Sequence, residues 1–178
     1  MRILVIVVHP NLDQSKVNKQ WLERLQQEEN VTVHNLYAEY PTFKIDVEKE
    51  QQLLMDHDRI VLQFPFYWYS SPALLKQWQD DVLTYGFAYG AAGNKLHGKE
   101  MLLAISTGSS AEAYRDGGAN RYPMEELVRP FQATANLCGL RFVPPFLLQG
   151  VLGLSETELQ NSSEALVAYL KNPNLSSI

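Results

Sequence analysis

Three apolar runs, residues 3–8 (ILVIVV), 60–64 (IVLQF) and 101–106 (MLLAIS), lack the polar alternation of a half-buried strand. Such strands need cover on both faces, the condition of central strands in a parallel sheet with helices above and below. Two further segments read as edge strands. Residues 31–36 (VTVHNL) alternate apolar with polar, and residues 140–148 (LRFVPPFLL) carry two prolines that cannot donate ladder hydrogen bonds.

Helical patterns lie between these runs. Val17, Trp21 and Leu25 recur at four-residue spacing, as do Leu74, Trp78 and Val82, with Pro72 tolerated in a first turn. Helices are also expected over residues 47–55, 124–137 (with Gly139 just beyond the end) and 156–170. Strand and helix alternate throughout, so right-handed crossovers predict an α/β fold: a doubly wound, five-stranded parallel sheet with helices on both faces. With the alternating and proline-bearing strands at the edges, the order is 2-1-3-4-5. At 178 residues, the chain is expected to form a single domain over 1–178.

Composition removes several classes of function. A net charge of -5 with no block of like charges argues against nucleic acid as a partner. The single cysteine, Cys138, allows no internal disulfide and reads as a small core residue. The apolar stretch in MRILVIVVHP is too short for a signal-peptide core, and no segment reaches the length of a membrane span, so a soluble intracellular protein is expected.

In this topology the loops after strands one, three and four meet at the carboxyl edge of the sheet. The first, HPNLDQSKVNK, places His9, Ser15, Lys16 and Asn18 where a helix begins. Hydroxyl, imidazole, amide and free backbone N–H groups at the positive end of a helix dipole make a phosphate seat. Ser15 is equally a plain helix cap and His9 a turn residue. The usual glycine fingerprints of dinucleotide and nucleoside-triphosphate sites are absent. The second loop follows Pro65 and carries four consecutive rings, Phe66, Tyr67, Trp68 and Tyr69, which cannot all enter one core. The third, Thr107-Gly108-Ser109-Ser110, is small enough for backbone amides to approach a ligand. A flat heterocycle with a phosphate tail, the shape of flavin mononucleotide, would touch all three loops.

These residues also carry a resemblance. His9-Pro10 with Ser15 and Asn18, the run QFPFYWYSSPALLKQW, Gly86-Phe87-Ala88-Tyr89, and Ser106-Thr107-Gly108 followed by Tyr114 are similar to the flavodoxin-like NAD(P)H quinone oxidoreductases. Within that family the chain most resembles small bacterial members, including the ancillary flavoproteins of glutathione-gated potassium efflux systems. The resemblance implies FMN as cofactor, with FAD as the alternative, and NAD(P)H as electron donor. It implies that His9, Ser15, Lys16, Val17 and Asn18 hold the phosphate. Phe66, Tyr67, Trp68 and Tyr69 would lie along the flavin ring, and Thr107, Gly108, Ser109 and Ser110 would meet its pyrimidine edge. Tyr114 matches a tyrosine that, with a histidine a few residues later, stabilises charge on the flavin. That histidine is missing: none follows His97, and Asn120 or Arg121 falls near its place. Tyr89 matches a residue that enters the partner's site, which implies a homodimer, and Trp68 and Tyr89 would wall the nicotinamide and quinone position.

Other candidates carry less. His34 and His57 lack a second ligand at metal spacing and read as surface or packing residues, so no metal is expected. His97-Gly98-Lys99 reads as a turn. Asp80 and Asp81 are adjacent on a helix and cannot face one pocket. Ser70 and Ser71 lack the context of a hydrolase nucleophile, and a one-electron carrier would have a more acidic surface. The expected activity is two-electron reduction of a quinone or related small electrophile by NAD(P)H. The alternative is a regulatory subunit of a potassium efflux transporter, cytoplasmic and docked at the inner face of the membrane.

Overall fold

A computed structural model describes residues 1–178. Strands β1 (Ile3–Val7), β2 (Val31–Asn35), β3 (Arg59–Pro65), β4 (Glu100–Thr107) and β5 (Arg141–Phe142) are parallel, and the sheet order is β2-β1-β3-β4-β5. The order and the two-sided cover match the sequence reading. Every residue of β1, β3 and β4 is buried.

Period-two geometry divides their side chains between two cores. Leu4, Ile6, Ile60, Leu62, Phe64, Leu103 and Ile105 pack on one face with Leu54 of α3 (Val47–Asp56), Leu74 and Trp78 of α4 (Ala73–Val82), and Phe131 of α6 (Arg129–Leu137). Ile3, Val5, Val7, Val61, Leu102 and Ala104 pack on the other with Trp21 and Leu25 of α1 (Lys16–Leu25) and Leu166 and Leu170 of α7 (Glu156–Lys171). Trp21 and Trp78 are thus core residues, as their spacing indicated, and Cys138 is buried.

Three local readings change. The expected strand over residues 140–148 is two short strands, β5 (Arg141–Phe142) and β6 (Phe146–Gln149), both parallel to β4. Pro144 and Pro145 have no N–H for the ladder and interrupt it between them. The expected helix over residues 124–137 is divided at Val128 into α5 (Met124–Leu127) and α6, because Pro130 sits in the first turn of α6 and cannot continue a preceding helix. The strand expected to reach Leu36 stops at Asn35, whose side chain accepts from the N–H of Ala38 and caps the one-turn helix α2 (Leu36–Glu39). No helix is long and apolar enough to cross a membrane.

The two ends of the sheet are built differently. At the amino edge, Arg59 is fully buried, pairing with Glu100 at 2.6 Å and donating to the carbonyls of Leu170 and Asn172 at the end of α7. That clamp satisfies a buried charge. The carboxyl edge is left open.

Candidate functional site

A cleft of about 460 Å³ opens at the carboxyl ends of β1, β3 and β4. His9, Ser15, Lys16, Val17 and Asn18 line it from the first loop, Phe66 and Tyr67 from the second, and Ser106 and Gly108 from the third. Three loops far apart in sequence therefore meet where parallel topology brings them. One end is polar and the other aromatic.

The polar end is the start of α1. The Ser15 hydroxyl accepts from the N–H of Asn18 at 3.1 Å, so Ser15 is a helix cap and a cleft-lining residue together. Lys16 and Val17 occupy the first two helical positions, whose N–H groups have no intrahelical acceptor. Those donors, the helix dipole and the exposed Lys16 ammonium favour an anion. His9 Nδ1 accepts from the N–H of Asn11 at 3.1 Å, which leaves Nε2 as the protonated nitrogen of the neutral ring. Burial pushes the His9 pKa down, favouring that neutral form.

Asn18 departs from a simple phosphate ligand. It is 1 % exposed, and its Nδ2 donates to Ser106 Oγ at 3.0 Å. Its N–H is already held by Ser15.

At the aromatic end, Phe66 is edge-on to Tyr114 (6.0 Å, 69°) and to Tyr69 (6.4 Å, 88°). Tyr67 and Ser70 exchange backbone hydrogen bonds of 3.2 and 2.9 Å, closing a two-residue turn with Trp68 and Tyr69 at its tip. Both tip residues are left-handed, with φ of 49° and 59°. Such turns are normally Asn-Gly, because β-carbons crowd the backbone there. The strain presents Trp68 almost entirely to solvent, 93 % exposed.

The N–H groups of Trp68, Tyr69, Gly108, Ser109 and Ser110 make no hydrogen bond within the protein. They are free donors around the aromatic end. A β-carbon at Gly108 would meet only Leu152 Cδ1, at 3.9 Å, so this glycine leaves width in the cleft. Thr107 Oγ1 donates to the carbonyl of Ser109 at 2.7 Å and fixes the turn of that loop. Burial pushes the Tyr114 phenol above its ordinary pKa, with the Ser109 and Thr107 hydroxyls pulling the other way.

Not every expected residue lines the cleft. Tyr69, Ser109 and Ser110 flank it, Tyr114 lies behind Phe66, and Tyr89 packs edge-on against Tyr85 at 5.8 Å in the loop after α4. Near the missing histidine, Asn120 Oδ1 accepts from the Tyr69 hydroxyl at 3.1 Å, and Arg121 is exposed. Sequence reading missed Gln14, in the 3₁₀ turn just before α1, and Val151, Leu152 and Leu154, which close the cleft from the 3₁₀ turn after β6. The available signal was GVLGL, an apolar, glycine-bearing segment directly after the last strand and hence at the same sheet edge. His34 and His57 are packing residues: His34 contacts Glu50 at 2.8 Å, and His57 bridges Leu53 and Thr32. No cluster of metal-binding side chains is assembled.

A doubly wound sheet in the order 2-1-3-4-5, with polar and aromatic loops at its switch point, defines a flavodoxin-like α/β protein. Residues 1–171 match the family described as having the flavodoxin-like fold, and the chain belongs to it. It is 63 % identical over 171 residues to an uncharacterised NAD(P)H oxidoreductase, YrkL, of Bacillus subtilis, covering 96 % of this chain and 98 % of that one. It is 45 % identical to KefG of Yersinia pestis, an ancillary protein of a glutathione-regulated potassium-efflux system, covering 97 % and 94 %. Among solved structures, general stress protein 14 of Treponema denticola in complex with FMN superposes with a TM-score of 0.91 at 44 % identity, covering 96 % and 98 %. An NADPH-quinone reductase from P. pentosaceus superposes at 0.88 with 39 % identity, covering 97 % and 99 %.

Proposed function

We propose that the protein is an FMN-dependent NAD(P)H oxidoreductase that reduces quinones or related small electrophiles in a ping-pong cycle. The observation that carries this reading is the single cleft with an anion seat at one end and an aromatic, amide-rimmed slot at the other. The names and the FMN complex of the relatives support it.

The residues present fit the cofactor. Its phosphate suits Ser15, Lys16, the free N–H groups of Lys16 and Val17, and the neutral His9 ring; its ring suits the space between Phe66-Tyr67 and Gly108. Bound flavin supplies two-electron acceptance and release. The chain supplies orientation, dryness and electrostatics. The free amides of residues 108–110 act as donors to the polar edge of the ring and favour negative charge there. The Tyr114 phenol, held protonated by burial, keeps a neutral O–H on the same side. The Tyr69 hydroxyl donates to Asn120 near the place of the missing histidine, so the site runs without a histidine relay. Trp68 and Tyr89 wall the position shared in turn by nicotinamide and quinone, with Tyr89 reaching across a homodimer.

Steady-state kinetics test this reading. With FMN bound, double-reciprocal plots at several quinone concentrations should be parallel, and absence of NAD(P)H-dependent quinone reduction would reject it. The relationship to KefG favours a second reading, a transporter subunit. Co-purification with a potassium-efflux membrane protein at fixed stoichiometry supports that role, and recovery of the protein only as a free species rejects it.

A further inference from the structure

Beyond Arg59 at its first position, the central strand β3 holds one polar side chain in an otherwise apolar interior. Gln63 is fully buried, between Leu62 and Phe64 in sequence and between Val7 and Ala104 in the sheet. Its Nε2 donates to the carbonyl of Asn18 at 3.0 Å and lies 3.4 Å from Asn18 Oδ1. Its Oε1 has no partner. A buried acceptor without a partner destabilises the fold, and an apolar side chain of the same length would remove that cost. Retaining an amide here requires an explanation beyond packing.

The explanation lies in what Gln63 is connected to. Asn18 is the third residue of α1, in the same first turn as the anion seat, and its amide continues the chain of bonds to Ser106 Oγ. Ser106 in turn accepts from the N–H of Phe66 through its own carbonyl at 2.8 Å, and it immediately precedes the Thr107-Gly108 loop. Gln63, Asn18 and Ser106 thus join the start of α1, the aromatic loop and the small-residue loop, with Asn18 and Ser106 lining the cleft and Gln63 behind them. Gln63 is not among the cleft's lining residues.

We propose that Gln63 is a positioning residue: acting through Asn18 and Ser106, it sets the spacing between the phosphate seat and the ring slot so that one ligand engages both. This rests on the flavin reading above. A ligand with both a phosphate and a ring gains from correct spacing, as two linked binding groups do. A ligand with the ring alone does not. The affinity ratio of FMN to riboflavin therefore reports the function of Gln63 separately from general stability.

The test measures that ratio by fluorescence quenching for the wild type, Gln63→Met, which keeps length and removes both polar atoms, and Gln63→Asn, which keeps the amide but shortens its reach. Wild-type protein should prefer FMN. In each variant the preference should fall by about tenfold, the scale of one lost hydrogen bond to a charged ligand, while the melting temperature of flavin-free Gln63→Met stays equal or rises. Ser106→Ala should lower the ratio in the same direction, and Gln63→Met combined with Ser106→Ala should lose no more than the worse single change. An unchanged ratio in the Gln63 variants, or variants recovered only unfolded, overturns the proposal and makes Gln63 a plain core residue. Wild-type protein that binds no flavin rejects the cofactor reading itself, a separate result.

Discussion

Ser15 caps α1 with a hydroxyl in a residue that also lines the cleft, so Ser15→Ala acts on two quantities. Loss of the cap should cost about 1 kcal/mol of stability, and FMN retention should fall, read by denaturant unfolding and by flavin content after gel filtration. Asn18→Ala should also weaken flavin retention, because it cuts the link between α1 and Ser106. Normal flavin content in both variants would contradict the anion seat. Glu50 makes a separate prediction. It is fully buried, and burial opposes its charge, but hydrogen bonds from His34, Tyr40 and Trp78 outweigh that opposition and hold its pKa below the ordinary carboxylate value. A depressed folded-state pKa contributes stability that is present above pH about 4.5 and lost as pH falls through the lowered value. Urea midpoints of wild type and Glu50→Gln should therefore converge as pH drops from 7 toward 3. Glu50→Ala, which strands the buried Tyr40 and Trp78 and the part-buried His34, should cost about 3 kcal/mol or more at pH 7. A pH-independent gap between wild type and Glu50→Gln would contradict this account.

Among the elements, the turn at Trp68-Tyr69 carries the clearest conflict between local preference and structure. Two consecutive non-glycine residues with positive φ each cost about 1–2 kcal/mol. Replacing them with Asn-Gly should raise stability by about that amount per residue while lowering quinone turnover by about tenfold, through loss of the aromatic wall. Melting temperature and turnover would move in opposite directions. The four-ring run advertised an exposed loop, but nothing in residue type announced its left-handed backbone. The regular elements were more legible. Residues buried on both faces form unbroken apolar runs, and helix faces repeat at near-four spacing, so β1, β3, β4, α1, α3, α4 and α7 could be read directly. What escaped were elements too short for a period: α2, the break at Val128, and the 3₁₀ turn of Val151–Gly153. The Pro144-Pro145 pair is visible in the sequence and does two things, dividing a strand as well as marking an edge. Gln63 escaped for another reason. Its role depends on contacts with Asn18, 45 positions away, which periodicity cannot register.

For the whole molecule, the parallel order brings chemistry to one edge and leaves structural charge, Arg59 with Glu100, at the other. The candidate site was legible as three loops because topology alone makes them neighbours. Its fourth wall, from Val151, Leu152 and Leu154, escaped the sequence reading, although the same rule applied to the last strand puts that turn at the same edge. Tyr89 belongs to this scale, because it does not line the cleft of its own chain. Sedimentation should show a dimer, and Tyr89→Ala should reduce quinone turnover while leaving flavin content intact; a fully active monomer would contradict the shared site. The central claim is tested most directly by anaerobic absorbance titration of the FMN-reconstituted protein with NADH or NADPH, followed by a soluble quinone. The account predicts that the oxidised flavin band bleaches with one equivalent of the preferred nucleotide and returns on adding one equivalent of quinone. Flavin that binds but stays oxidised with both nucleotides would contradict it.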